Sequence, residues 1–157
     1  MNFESFEDIK VLMDNFDPAT LLPDLSSMVG KVEFITRLAV LAGPILLLVL
    51  GILYFFASPK EANYHFGYRC YFGMGSEEAW RFTQRLAGLV WSGLGLVLTI
   101  VMLIVSLGFR GDPIMDIISS GAKCLIWEIV LTAISCLAIN IMAMIRYDRK
   151  GMPREME

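Results

Sequence analysis

Leu38–Ala57 reads LAVLAGPILLLVLGILYFFA, 20 residues without a charge. Two further stretches match it. Leu86–Phe109 (LAGLVWSGLGLVLTIVMLIVSLGF) has 24 residues and no charge, and Cys124–Ile145 (CLIWEIVLTAISCLAINIMAMI) has 22 and one, Glu128. A helix rises 1.5 Å per residue, so about 20 apolar residues cross roughly 30 Å of hydrocarbon. Backbone groups in lipid must bond within their own segment, which makes each stretch a helix. The expected fold class is therefore an all-α membrane protein with three transmembrane helices and the lipid bilayer as its first partner.

Composition agrees. The 157 residues are 56% hydrophobic and 18% charged, with a mean hydropathy of +0.61. Soluble domains carry about 25% charge. A net charge of −3 offers no general attraction to phosphate backbones, so no nucleic-acid partner is expected. Cys70, Cys124 and Cys136 lack C-x-x-C spacing, and His65 is the one histidine. Neither a metal set nor a nucleophile–base pair is visible, and no cofactor or catalysis is expected.

Residues 1–32 form an acidic segment ahead of a three-span domain at 33–157. Phe6, Ile9, Met13 and Phe16 fall at near-helical spacing among Glu4, Glu7, Asp8 and Asp14, the pattern of an amphipathic helix. Asp17-Pro18 is an N-cap followed by proline at the first helical position, so a second short helix is expected there. An interfacial helix is one reading. Docking on the bundle or on a partner protein is the other, since an acidic helix gains nothing from anionic lipid. Lysine and arginine flanking the spans number five on the side of the N-terminus and eight on the side of the first loop and tail. That bias puts the C-terminus in the cytoplasm and the N-terminus outside.

The loop at 58–85 is unusual for a connection between membrane helices. It carries seven aromatics between Tyr64 and Phe82, interleaved with glycine and arginine. Gly67, Gly73 and Gly75 permit positive φ. Ser76 is an expected N-cap with Glu77 and Glu78 in the first turn, opening a helix that runs through Trp80 and Arg85 into the second span. Trp80 and Phe82 read as an aromatic belt at headgroup depth. Arg81 and Arg85, spaced i,i+4, reach phosphates or a carboxylate on one side.

At these residues the chain resembles the SdpI family of bacterial membrane proteins. The resemblance rests on Asn63-x-x-Phe66-Gly67-Tyr68-Arg69, then Met74, then Glu78-x-Trp80-x-Phe82, then Gly88. It implies a bacterial inner-membrane protein of immunity or signalling type, without catalysis. Such a protein binds a toxic peptide and, in the named member, helps hold a cytoplasmic repressor at the membrane. Arg69 is the leading recognition residue, because its guanidinium offers a planar fork for carboxylate or phosphate. Asn63 supplies a second polar anchor. The competing reading has Arg69 pair with Glu77 or Glu78 and staple the loop shut.

Inside the membrane, Glu128 needs explanation, since a buried charge there costs a few kcal/mol on insertion scales. Thr132, Cys136 and Asn140 follow it at i+4 steps as a polar stripe. Arg37 is its expected partner, with Lys123 competing and Glu33 sharing Arg37. The stripe is either the wall of a ligand cavity or a set of interhelical bonds. Gly88, Ser92, Gly95 and Thr99 form a small-residue stripe that permits close helix contact, and Gly43-Pro44 is expected to break or bend the first span. Two alternatives to peptide binding remain: a structural subunit of a larger membrane complex, and a small oligomeric transporter.

Overall fold

The computed structural model describes residues 25–59, 62 and 66–154. The expected N-terminal helices and Asn63 and His65 lie outside the described residues. Three helices make up the described fold: α1 (Leu25–Phe56), α2 (Glu77–Leu107) and α3 (Ile114–Arg146). All three are long and apolar enough to cross a membrane. Each starts well before its uncharged stretch, α1 by 13 residues and α3 by 10. Charge is excluded from lipid and not from helix, so an apolar run marks the hydrocarbon crossing and underestimates the helix around it.

The faces explain the composition. Val97, Ile104, Ile126, Ile129 and Leu137 are exposed on the surface of the bundle. Three helices cannot bury so much apolar surface against one another, and α3 is hydrophobic all round, as a span requires. The interior is correspondingly thin. Val40, Leu47, Leu98 and Met102 form one buried cluster. Tyr68, Cys70, Ala87, Ile139 and Ala143 form a second, nearer the first loop. Trp91 packs against both, and its indole N–H donates to Ser135 Oγ at 3.1 Å, tying α2 to α3.

The small-residue stripe is spent within the chain. A Cβ at Gly88 would stand 2.7 Å from the backbone N of Phe55, and one at Gly95 2.5 Å from that of Leu48. From the other side, Gly51 faces the backbone of Ser92. The α1–α2 seam is thus backbone on backbone, the contact that small residues permit. α1 continues unbroken past the buried Pro44, so the expected break is absent. Neighbouring turns hold the helix while the carbonyl of Val40 loses its helical donor. α1 and α3 run parallel and in register, with Thr36 against Gly121 and Gly43 against Glu128, seven residues on in each helix. Between α2 and α3 the chain turns at Gly111, at φ 86°, with Phe109 buried beneath.

A candidate binding site at the capped end of the bundle

The loop leading into α2 folds into the bundle and does not lie over it. Ser76 has the extended backbone of an N-cap, and its Oγ accepts from the Ala79 N–H at 3.1 Å, as expected from the sequence. One turn on, Trp80 is fully buried. Its Nε1–H donates to the Pro59 carbonyl at 2.9 Å, and its ring lies under Gly67. Gly67 has φ 122°, and a Cβ there would come 2.7 Å from the indole. The expected role of Trp80 as an interfacial anchor is therefore corrected. It is the post around which the loop winds, and Gly67 is required twice, for its backbone angle and for the approach.

Gln84, one turn beyond Trp80, holds the loop in place. Its Oε1 accepts from the Tyr68 N–H at 2.8 Å, and its Nε2 donates to the Tyr68 carbonyl at 2.7 Å. An amide side chain thus pairs with a peptide unit as a neighbouring strand would, satisfying two buried backbone groups. Tyr68 then reaches inward. Its hydroxyl donates to the Cys136 carbonyl at 3.1 Å, and its ring stands edge-on to Trp91 at 5.3 Å. Phe66 stacks edge-on to Tyr54 at 5.5 Å. Cys70 is buried and free, accepting the Gly73 N–H at 3.2 Å. Gly73 and Gly75 do not use the positive φ open to them. They are small because Thr83 Oγ1 and the backbone of Gly151 occupy the space a Cβ would need.

The tail closes the cap from the other side. After α3 the chain turns at Asp148, whose carboxylate accepts the N–H groups of Lys150 and Met152, both at 2.8 Å. These bonds, led by that from Met152, hold the carboxyl below its usual range. The Asp148 N–H returns to the Met152 carbonyl and the Arg154 N–H to the Arg146 carbonyl, both at 2.9 Å, making a small hairpin. Gly151, at φ 73°, presents its carbonyl to the Ser76 hydroxyl at 2.6 Å. Buried Tyr147 donates to Glu78 at 3.4 Å. Burial first, and the Glu78 carboxylate second, push its phenol up.

The end of α1, the first turns of α2 with its N-cap, and the tail together frame a groove of about 800 Å3. Phe55, Phe82, Leu86 and Leu89 give it an apolar lining, and Arg81, Arg85 and Arg146 edge it. The Arg146 guanidinium lies over the Phe82 ring at 4.6 Å, a cation–π contact. Arg81 also pairs with Glu77 at 2.5 Å, with both side chains more than half exposed. Such a pair contributes little stability. Arg69 is exposed on the same loop. Of the two glutamates nearby, Glu77 pairs with Arg81 and Glu78 accepts from Tyr147.

The loop half of this cap is built from the motif residues and lies within the region of family likeness. Residues 60–145 match the SdpI/YfhL protein family, more than half of the 157-residue chain. The chain belongs to that family. No match to a curated protein or to a solved structure was found. Within the SdpI-type motif, the geometry separates two kinds of residue. Gly67, Tyr68, Trp80 and Gly88 are consumed in packing, whereas Arg69 is exposed, as are Arg81 and Arg85 at positions the motif leaves open.

The intramembrane residues form a second cluster, on α1 and α3. Arg37 pairs with Glu33 at 2.6 Å. Its expected partner Glu128 is instead packed with its carboxyl against Gly43, where a Cβ would lie 2.6 Å from Oε2. Glu128 is 7% exposed, and its Oε1 is buried without a hydrogen-bond partner among the described residues. The correction has a simple origin: one helical turn separates Glu33 from Arg37 on α1, while Gly43 leaves room for a carboxyl well beyond them. The polar stripe does face inward. Glu128, Thr132 and Cys136 line a cleft of about 510 Å3 beside α1, and Asn140 adjoins the Tyr68 hydroxyl.

Proposed function

We propose that this SdpI-family chain is a non-catalytic immunity or signalling protein of the bacterial inner membrane that binds a toxic peptide through the groove at its capped end. The observation that carries this reading is an apolar groove edged by three arginines, Arg81, Arg85 and Arg146, beside a cap that the buried motif residues Tyr68 and Trp80 lock. A peptide offers that groove apolar side chains for Phe55, Phe82 and Leu89 and carboxylates for Arg85 and Arg146. Arginine suits this role because its fork takes a carboxylate in two parallel hydrogen bonds. A rigid, preorganised rim loses little ordering entropy on binding. The basic excess around the first loop and tail supports a cytoplasmic position for the cap, where a soluble regulator has access to it.

The subunit reading draws less support, because the glycine stripe that would have served as a docking face is filled by α1. The test is protection. A host sensitive to a membrane-active toxic peptide should survive challenge with that peptide when it expresses the chain. Arg85→Ala combined with Arg146→Ala should abolish protection at unchanged protein level, and Arg69→Ala should weaken it. Full protection by the double variant, or none by the wild type, refutes the reading.

A further inference from the structure

We infer that the cleft between α1 and α3 is a binding site for a lipophilic amine, with its ammonium at Glu128 and its apolar chain laid along the two helices. This site is separate from the capped groove, and the inference does not depend on the peptide reading.

The cleft is a slot with chemistry at one end. Its walls run from Gly43 to Leu50 on α1 and from Glu128 to Cys136 on α3, and Trp91 and Leu98 of α2 contribute to the lining. Eight residues of helix give it a length of about 12 Å. Apart from Glu128 and Thr132 the lining is aliphatic or aromatic, with Cys136 at the far end. A ligand complementary to this slot is therefore long, apolar and charged at one tip.

The acid is built in with care. Gly43 is the residue that leaves room for the carboxyl, since any side chain there would collide with Oε2. Glu128 is more than nine-tenths buried, and Oε1 finds no donor among the described residues. The internal cations are placed elsewhere: Arg37 is held by Glu33, and Lys123 is exposed. A buried carboxyl left without a partner loses its hydration for nothing. A ligand ammonium would restore both charge balance and hydrogen bonds. An ammonium brings a charge and several N–H groups to Glu128, whereas an alcohol brings one donor and no charge.

The experiment uses the full chain in phosphatidylcholine nanodiscs, titrated with dodecylamine against empty discs. Saturable binding at one site is expected. Glu128→Gln keeps the shape and removes the charge. It should weaken binding on the order of tenfold or more, the loss of one charge-assisted hydrogen bond. Dodecanol should bind wild type at least about tenfold more weakly than the amine does. Ala133→Phe fills the slot while leaving Glu128 in place, and it should remove saturable binding. The inference fails if wild type shows no binding beyond empty discs, or if Glu128→Gln or dodecanol falls short of the stated loss. It also fails if the Ala133→Phe protein binds as wild type does. Displacement of the amine by phosphatidylethanolamine in the disc would assign the cleft to lipid and overturn it as well.

Discussion

Replacing Gln84 by leucine removes the clamp on Tyr68 at nearly constant volume. Gln84 and the Tyr68 backbone are buried, and both bonds between them are short, at 2.8 and 2.7 Å. With leucine in place, the Tyr68 N–H and carbonyl each lose their partner in a site closed to water. An unsatisfied buried group costs about 1–3 kcal/mol, so the pair predicts a loss of roughly 2–6 kcal/mol. That exceeds the fraction of a kcal/mol expected of a surface change. The loss should fall on the cap first. The loop at 66–74 then opens as a unit while the α1–α2 seam persists, the behaviour of a sub-global opening. Amide exchange at Tyr68, followed by NMR in nanodiscs, reads the opening directly, and equilibrium unfolding in mixed micelles reads the whole. Gln84→Glu sharpens the test. Its carboxylate still accepts the Tyr68 N–H but turns an oxygen toward the Tyr68 carbonyl, so at neutral pH it should behave like leucine. Protonation restores the missing donor, which raises the folded-state pKa of the new carboxyl. Stability is then present in acid and lost as pH rises through that value. If Gln84→Leu leaves Tyr68 exchange and overall stability within about 0.5 kcal/mol of wild type, the clamp is not what holds the loop.

Two further outcomes follow from the geometry. Gly88→Val sets side-chain atoms against the backbone of Phe55, where even a Cβ would stand at 2.7 Å, and overpacking should destabilise by about 1–3 kcal/mol. Unfolding of the variant in mixed micelles checks this, with Gly93→Val, which meets nothing within 4 Å, as the neutral control. Asp148 has its carboxyl lowered by hydrogen bonds from the tail backbone. The stabilisation of the hairpin is therefore full above the ordinary carboxylate pKa and is lost as pH falls through the lower folded value. Protection of the Lys150 and Met152 amides, taken relative to their intrinsic exchange at each pH, should fall in acid, and Asp148→Ala should lack that dependence.

The spans were legible because the hydrocarbon admits so little charge that composition alone marks the crossings. Ser76 was legible too, as a hydroxyl before two glutamates. The interior of the cap was not. Trp80 stands between arginines and reads as a belt residue until the loop is wound around it. Gln84 was missed, although a signal existed: Trp80, Thr83, Gln84, Ala87 and Gly88 share one helical face. A polar amide on a face that is otherwise aromatic and small is a buried donor–acceptor in need of a partner. The tail also carried an overlooked cue, Asp148 with Gly151 three residues on, which is a turn spacing. The Arg37–Glu128 pairing failed because sequence supplies the charges without the relative heights of two helices.

The meeting of Gly75 and Ser76 with Gly151 has a consequence for how the protein is made. Domains acquire structure from the N-terminal end during synthesis. Yet the first loop cannot be sealed until the ribosome has added residue 151, some 75 positions later. Two helices will already have been handed to the bilayer by then. Synthesis of the segment around Gly151 thus acts as a latch on the hairpin of α1 and α2, and a chain stopped short of it would leave that hairpin open to quality-control proteases.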